Sequence, residues 1–198
     1  MADDWWCDGR PIDAIRWWGS YLAYSGVSNA PGIPAGGVRP TGFRLYWFTD
    51  VPATNSPSGY STPGPLLLSR VFPLLNYTQP LDTYGAVKEV YAGTVKLDFL
   101  GPAYAGQLEH KFRYDLCLEE SWNEKAGRVY WLGVEALYGS EPASYPWGWS
   151  TTPPRFNWND DATVRTNDVT GAPVWGEMTY LPLVPPYTGR DEHPYAGC

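Results

Sequence analysis

The run from Gly127 to Leu137 (Gly-Arg-Val-Tyr-Trp-Leu-Gly-Val-Glu-Ala-Leu) limits the fold more than any other stretch of this chain. β-Branched and aromatic residues dominate it, and two glycines interrupt it, so it makes a poor helix. Read with a period of two, Val129, Trp131 and Gly133 fall on one face, and Tyr130, Leu132 and Val134 on the other. Both faces are apolar. The run is therefore expected as a central strand, buried on one side and at least partly covered on the other. It is taken as the middle strand of a β-sandwich.

The rest of the chain supplies further strands. Alternating or apolar runs occur at Asp3–Asp8, Pro11–Leu22, Gly42–Thr49, Leu66–Pro73, Glu89–Leu100, His110–Glu119, Tyr145–Ser150, Ala162–Arg165 and Val174–Leu181. Trp18, Trp47 and Trp131 lie in well-patterned strands and are expected in the core. The 21 glycines and 20 prolines are spread along the chain, as turns between short strands require. Two longer Pro- and Gly-rich loops, Ser25–Thr41 and Asp50–Pro65, interrupt the strands, and long loops often carry function. The expected fold is all-β: an antiparallel β-sandwich of jelly-roll type with about ten short strands. It forms one domain over 1–182, followed by an irregular tail over 183–198.

Charge excludes some partners. The net charge is -7 with only 14 Lys and Arg, and no basic cluster offers itself to a nucleic acid. No apolar run is long enough for a membrane span. Aromatic residues make up 16% of the chain, which gives it ample apolar surface to bury and argues against disorder. Low Lys with high Trp, Tyr, Gly and Pro favours a mature extracellular or cell-surface domain over a cytosolic one.

Ala2-Asp3-Asp4-Trp5, Trp17-Trp18-Gly19-Ser20-Tyr21, Phe43 to Asp50, Tyr130-Trp131-Leu132-Gly133-Val134, Trp147-Gly148-Trp149, Asp160-Asp161-Ala162 and Trp175 follow one another along the chain. In this order they resemble an uncharacterised family of secreted bacterial β-sandwich domains, with Ala2-Asp3-Asp4-Trp5 matching its opening and Trp17-Trp18-Gly19-Ser20-Tyr21 its second strand. The chain departs from the pattern at Arg190–Tyr195, where the family closes on an Asp-Leu-Ala-Phe strand. The resemblance implies the sandwich and supplies no catalytic residues.

Site candidates are few. His110 and His193 stand far apart without paired cysteines, which disfavours zinc. Asp3 and Asp4 near the start, with Asn159, Asp160 and Asp161 near the end, could converge on Ca²⁺ if the first and last strands are neighbours. A strand start and a solvated turn explain the same residues and stand ahead of calcium. Glu119, Glu120 and Glu124 fall in one polar turn, so a glycosidase pair is not expected from them. The three cysteines allow one disulfide, and Cys7 with Cys117 is the first choice because both lie in predicted strands. Cys198 is then a free terminal thiol.

Aromatic residues outside the clear strands, Trp122, Tyr145, Trp147, Trp149 and Trp158, are candidate ligand-binding residues, since Trp and Tyr can stack on a sugar face. For Trp147 and Trp149, packing at the sandwich edge ranks first, contact with a protein partner second and sugar stacking third. The expected function is a non-catalytic extracellular binding or adhesion module, with a polysaccharide or glycan as the leading ligand and no enzyme machinery. The alternative is a structural subunit that assembles with copies of itself.

Overall fold

A computed structural model describes residues 1–21, 39–75, 83–96, 105–106, 108–139, 145–150, 162–167 and 173–177. Among these residues all regular structure is β-strand. The strands are β1 (Ala2–Cys7), β2 (Ile12–Tyr21), β3 (Gly42–Val51), β4 (Thr62–Pro73), β5 (Val87–Lys96), β6 (Leu108–Trp122), β7 (Arg128–Leu137), β8 (Trp147–Trp149), β9 (Thr163–Asn167) and β10 (Pro173–Glu177). One sheet runs β10-β9-β1-β7-β3-β4 and the other β5-β6-β2-β8, with neighbouring strands antiparallel. The chain is an antiparallel β-sandwich, as its patterning requires. No helix long and apolar enough to cross a membrane occurs among the described residues.

The expected central strand is β7, held between β1 and β3. Its two faces serve two different cores. Tyr130 is buried, and Leu132 and Val134 look into the space between the sheets. There Trp17, Tyr21, Phe43, Leu45, Trp47, Phe112, Tyr114 and Leu116 make up the main core. The rings interlock: Trp17 stacks on Tyr114 at 5.6 Å, and Phe43 meets Tyr114 edge-on at 5.0 Å. Trp131 points the other way, into a smaller cluster with Ala2 and Phe48.

That second cluster exists because the six-stranded sheet curls. β10 is four places from β3 in the sheet, yet Trp175 meets Phe48 edge-on at 5.5 Å. The Trp131 indole N–H donates to Asp50 Oδ1 at 2.8 Å, and the Ser61 hydroxyl donates to the same oxygen. A buried indole keeps its hydrogen bond in this way.

Two strands, β4 and β6, run longer than their patterning shows. β4 begins at Thr62, inside the expected Asp50–Pro65 loop, and β6 continues to Trp122, through the expected polar turn. In that extension Trp122 stacks on Trp47 at 5.6 Å, and its indole N–H donates to Glu124 Oε1 at 2.5 Å. Glu124 Oε2 is buried with no hydrogen-bond partner. Burial pushes this carboxyl up to about 7 from its ordinary 4.5, and the Trp122 hydrogen bond only partly opposes the shift. Between those two values the folded chain holds a proton that the unfolded chain has released. Glu124 thus adds stability at pH 5 that is lost as pH rises through 7, on the order of 1 kcal/mol once solvent screening of a half-exposed group is allowed for. Denaturant midpoints at pH 5 and pH 8 should show that difference in wild type, and it should disappear in Glu124→Gln.

The cysteine pairing is corrected. Cys7 is a buried free thiol, whereas Cys117 is disulfide-bonded, so the two do not pair. The reason is orientation. In β6 the core side carries Phe112, Tyr114, Leu116 and Leu118, so Cys117 faces outward from the four-stranded sheet. Cys7 lies in the other sheet, its sulfur accepting the Gly9 N–H at 3.3 Å.

Candidate binding face

The outer face of the four-stranded sheet carries a row of polar side chains around one exposed indole. Alternation creates it. In β6, His110, Phe112, Tyr114 and Leu116 turn inward, leaving Glu109, Lys111, Arg113 and Asp115 outside. In β2, Ile15, Trp17 and Tyr21 turn inward, leaving Arg16 and Trp18 outside. Register then sets Arg16 opposite Asp115, Trp18 opposite Arg113 and Ser20 opposite Lys111. On the far side of β6, β5 adds Lys88 beside Asp115 and Val90 beside Arg113.

The charged groups are fixed by one another. Asp115 accepts from Arg16 Nε at 2.5 Å and from Arg113 Nε at 2.9 Å. Lys111 Nζ reaches Glu109 Oε2 at 2.7 Å and Ser150 Oγ at 3.0 Å. The Ser20 hydroxyl donates to the other oxygen of Glu109. Each pair is partly exposed and contributes at most about 1 kcal/mol to folding. Their effect is positional: donors and acceptors stand at set points on a rigid sheet, and binding need not order them. Trp18 is 39% exposed among them. Its expected place in the core is taken by Trp17, which is 1% exposed.

A second polar group lies inside the sandwich. The Glu89 side chain is 0% exposed and faces the core from β5. The hydroxyls of Tyr21 and Tyr114 both donate to its Oε2, the latter at 2.8 Å, and Arg39 Nη2 lies 3.0 Å from Oε1. Burial, reinforced by the carboxylate, holds both tyrosine hydroxyls far above their ordinary ionisation range. Nearby, His110 Nδ1 shares a hydrogen bond with Thr94 Oγ1 at 2.7 Å. The carboxylate is closed off from solvent and serves the fold.

The other candidate residues are dispersed. Trp122 pairs with Ile12 at one end of β2, and Trp147 with Tyr21 at the other. They lie roughly 30 Å apart along the strand and cannot hold one ligand as a pair. Trp122, Tyr145, Trp147 and Trp149 are partly buried and pack on the main core, the use ranked first for Trp147 and Trp149. Trp158 lies outside the described residues, as do Asn159, Asp160, Asp161 and Cys198. Asp3 stands opposite Leu132 and Asp4 opposite Trp131, so their side chains leave β1 on opposite faces. β1 does adjoin a late strand, since Ala2 pairs with Thr163. Among the described residues, no three His, Cys, Asp or Glu side chains gather as metal ligands.

Two signals for these groups were present in the sequence. Arg16 shares its phase with Trp18, which marks that face as outward. Glu89 shares its phase with Val87 and Tyr91, which places a carboxyl on a core face. No curated protein and no solved structure matches the chain. A family model for a domain of unknown function (DUF7901) matches residues 1–192. With nearly its whole length covered, the chain belongs to the DUF7901 family.

Proposed function

We propose that this chain is a non-catalytic extracellular binding module that holds a carbohydrate on the outer face of its four-stranded sheet. The observation that carries the reading is Trp18: a large indole left 39% exposed on a sheet face beside charged side chains that hold one another in place. An exposed indole offers an apolar plane to the C–H face of a pyranose, and the surrounding side chains offer donors and acceptors to its hydroxyls. The disulfide at Cys117 supports an oxidising compartment, hence the extracellular assignment. Titration calorimetry against a polysaccharide panel tests the reading. Trp18→Ala should weaken binding at least about tenfold, the loss expected for one stacking ring, with the far-UV spectrum unchanged. Wild-type affinity in the Trp18→Ala variant would remove the proposal.

A second reading, self-assembly, rests on β4. This edge strand exposes Leu66 (53%), Leu67 and Val71 (54%) between Pro65 and Pro73. An open apolar edge can pair with the same edge of a second copy, whereas proline blunts such edges. Light scattering behind size exclusion should then show a mass that rises with concentration in wild type and stays monomeric in Val71→Pro. A monomer at every concentration would leave only the binding module.

A further inference from the structure

The sheet face is not uniform, and its relief and charge narrow the ligand class. Gly93 lies beside Lys111 on β5, and Gly148 lies beside Ser20 on β8. A Cβ built on either glycine meets nothing within 4 Å. The row Gly93–Lys111–Ser20–Gly148 therefore crosses all four strands as a shallow trough, with no bulky side chain at either end among the described residues. The row of Val90, Arg113 and Trp18 borders it on one side. Four strands span about 14 Å, room for about three sugar units lying across the strands.

Charge favours one kind of chain. Among the described residues around the trough, Arg16, Lys88, Lys111 and Arg113 face Glu109 and Asp115, four cations against two anions. The whole molecule carries -7, so this patch reverses the sign of its surroundings. The excess is local, because beyond Cys117 the same side of the sheet turns acidic at Asp13 and Glu119. Lys111 uses two of its three N–H groups on Glu109 and Ser150, and the third remains for a ligand.

We infer that the trough takes a linear acidic polysaccharide, with Trp18 stacking on one sugar and Lys111 and Arg113 drawing in the carboxylates. This rests on the carbohydrate-binding reading above and goes further by fixing the class and direction of the ligand. Matched pairs of polymers test it: polygalacturonate with its methyl ester, and carboxymethyl cellulose with hydroxyethyl cellulose. In at least one pair the acidic member should bind at least about tenfold more tightly at low salt, and the gap should close near about 0.5 M NaCl. Lys111→Gln and Arg113→Gln should close the same gap, weakening the acidic member several-fold more than the neutral one. Gly148→Leu points into open space, so it should fold normally and abolish binding of both members. Equal affinity for acidic and neutral members, or preference for the neutral ones, would overturn the acidic ligand and leave the binding face standing. Binding that survives in Gly148→Leu would overturn the trough. No binding by any polymer would remove both readings.

Discussion

Glu89→Ala is expected to lower the thermal midpoint by about 10 °C, because removing one partner of a buried charged group costs about 3–5 kcal/mol in a domain of this size. Three groups lose their acceptor at once. Tyr21 and Tyr114 keep buried hydroxyls, and Arg39 loses an ion-pair partner 3.0 Å away. Glu89→Gln retains an oxygen acceptor for the two tyrosines and removes only the charge, so it should cost less than alanine. Differential scanning calorimetry on both variants gives the order directly. An alanine midpoint within about 2 °C of wild type would show that the network contributes nothing to the fold. The position is instructive because Glu89 is the one acidic residue buried among the described residues, on β5 beside β6 and within reach of Tyr21 on β2.

Gly19→Ala should be the next most damaging change, despite adding a single methyl group. A Cβ at position 19 would lie 2.3 Å from Trp147 Nε1 and 2.7 Å from the Gly148 carbonyl oxygen. Neither atom can yield easily. The indole is wedged edge-on against Phe43 at 5.1 Å and Tyr114 at 5.8 Å, and the carbonyl belongs to the strand paired with β2. Overpacking costs about 1–3 kcal/mol where side chains can adjust, and more where backbone stands in the way. β8 must lift from the sheet, which lowers the midpoint by about 4–10 °C. The cost should shrink when Trp147→Ala is present, since the two sites are then no longer in contact. A Gly19→Ala midpoint equal to wild type, or a penalty undiminished without Trp147, would contradict the packing described. The same contact explains why Trp17-Trp18-Gly19-Ser20-Tyr21 and Trp147-Gly148-Trp149 occur in one chain. They are the two sides of one strand pair, with glycine wherever an indole or open trough needs room.

Much of this is legible in the sequence alone. The run Gly127–Leu137 has two apolar faces and became the strand with a core on each side. The alternation of His110–Glu119 survived intact in β6. What failed did so for physical reasons. Trp17 and Trp18 are adjacent, and local pattern alone does not say which one points inward. Arg16 on the phase of Trp18 decides it, a signal weaker than the aromatic ring beside it. Cys7 and Cys117 each sit in a strand, but a disulfide depends on which faces meet, and the outward phase of Cys117 excludes the pair. Trp122 and Trp147 pack on the core at opposite ends of β2, the use ranked first for Trp147, since a sandwich must cover its ends as well as its middle. The curl that brings Trp175 onto Phe48 joins residues far apart in sequence and leaves no trace in periodicity.

The binding face is tested most directly by the indole N–H signals of the 11 tryptophans in a ¹⁵N-labelled sample, followed while a bound polysaccharide is titrated in. Trp18→Phe assigns the signal that matters. The Trp18 indole should shift progressively with ligand while those of Trp17, Trp47 and Trp131 stay fixed. Shifts at Trp147 and Trp149 with Trp18 unmoved would place the ligand at the end of the sandwich and contradict the sheet face.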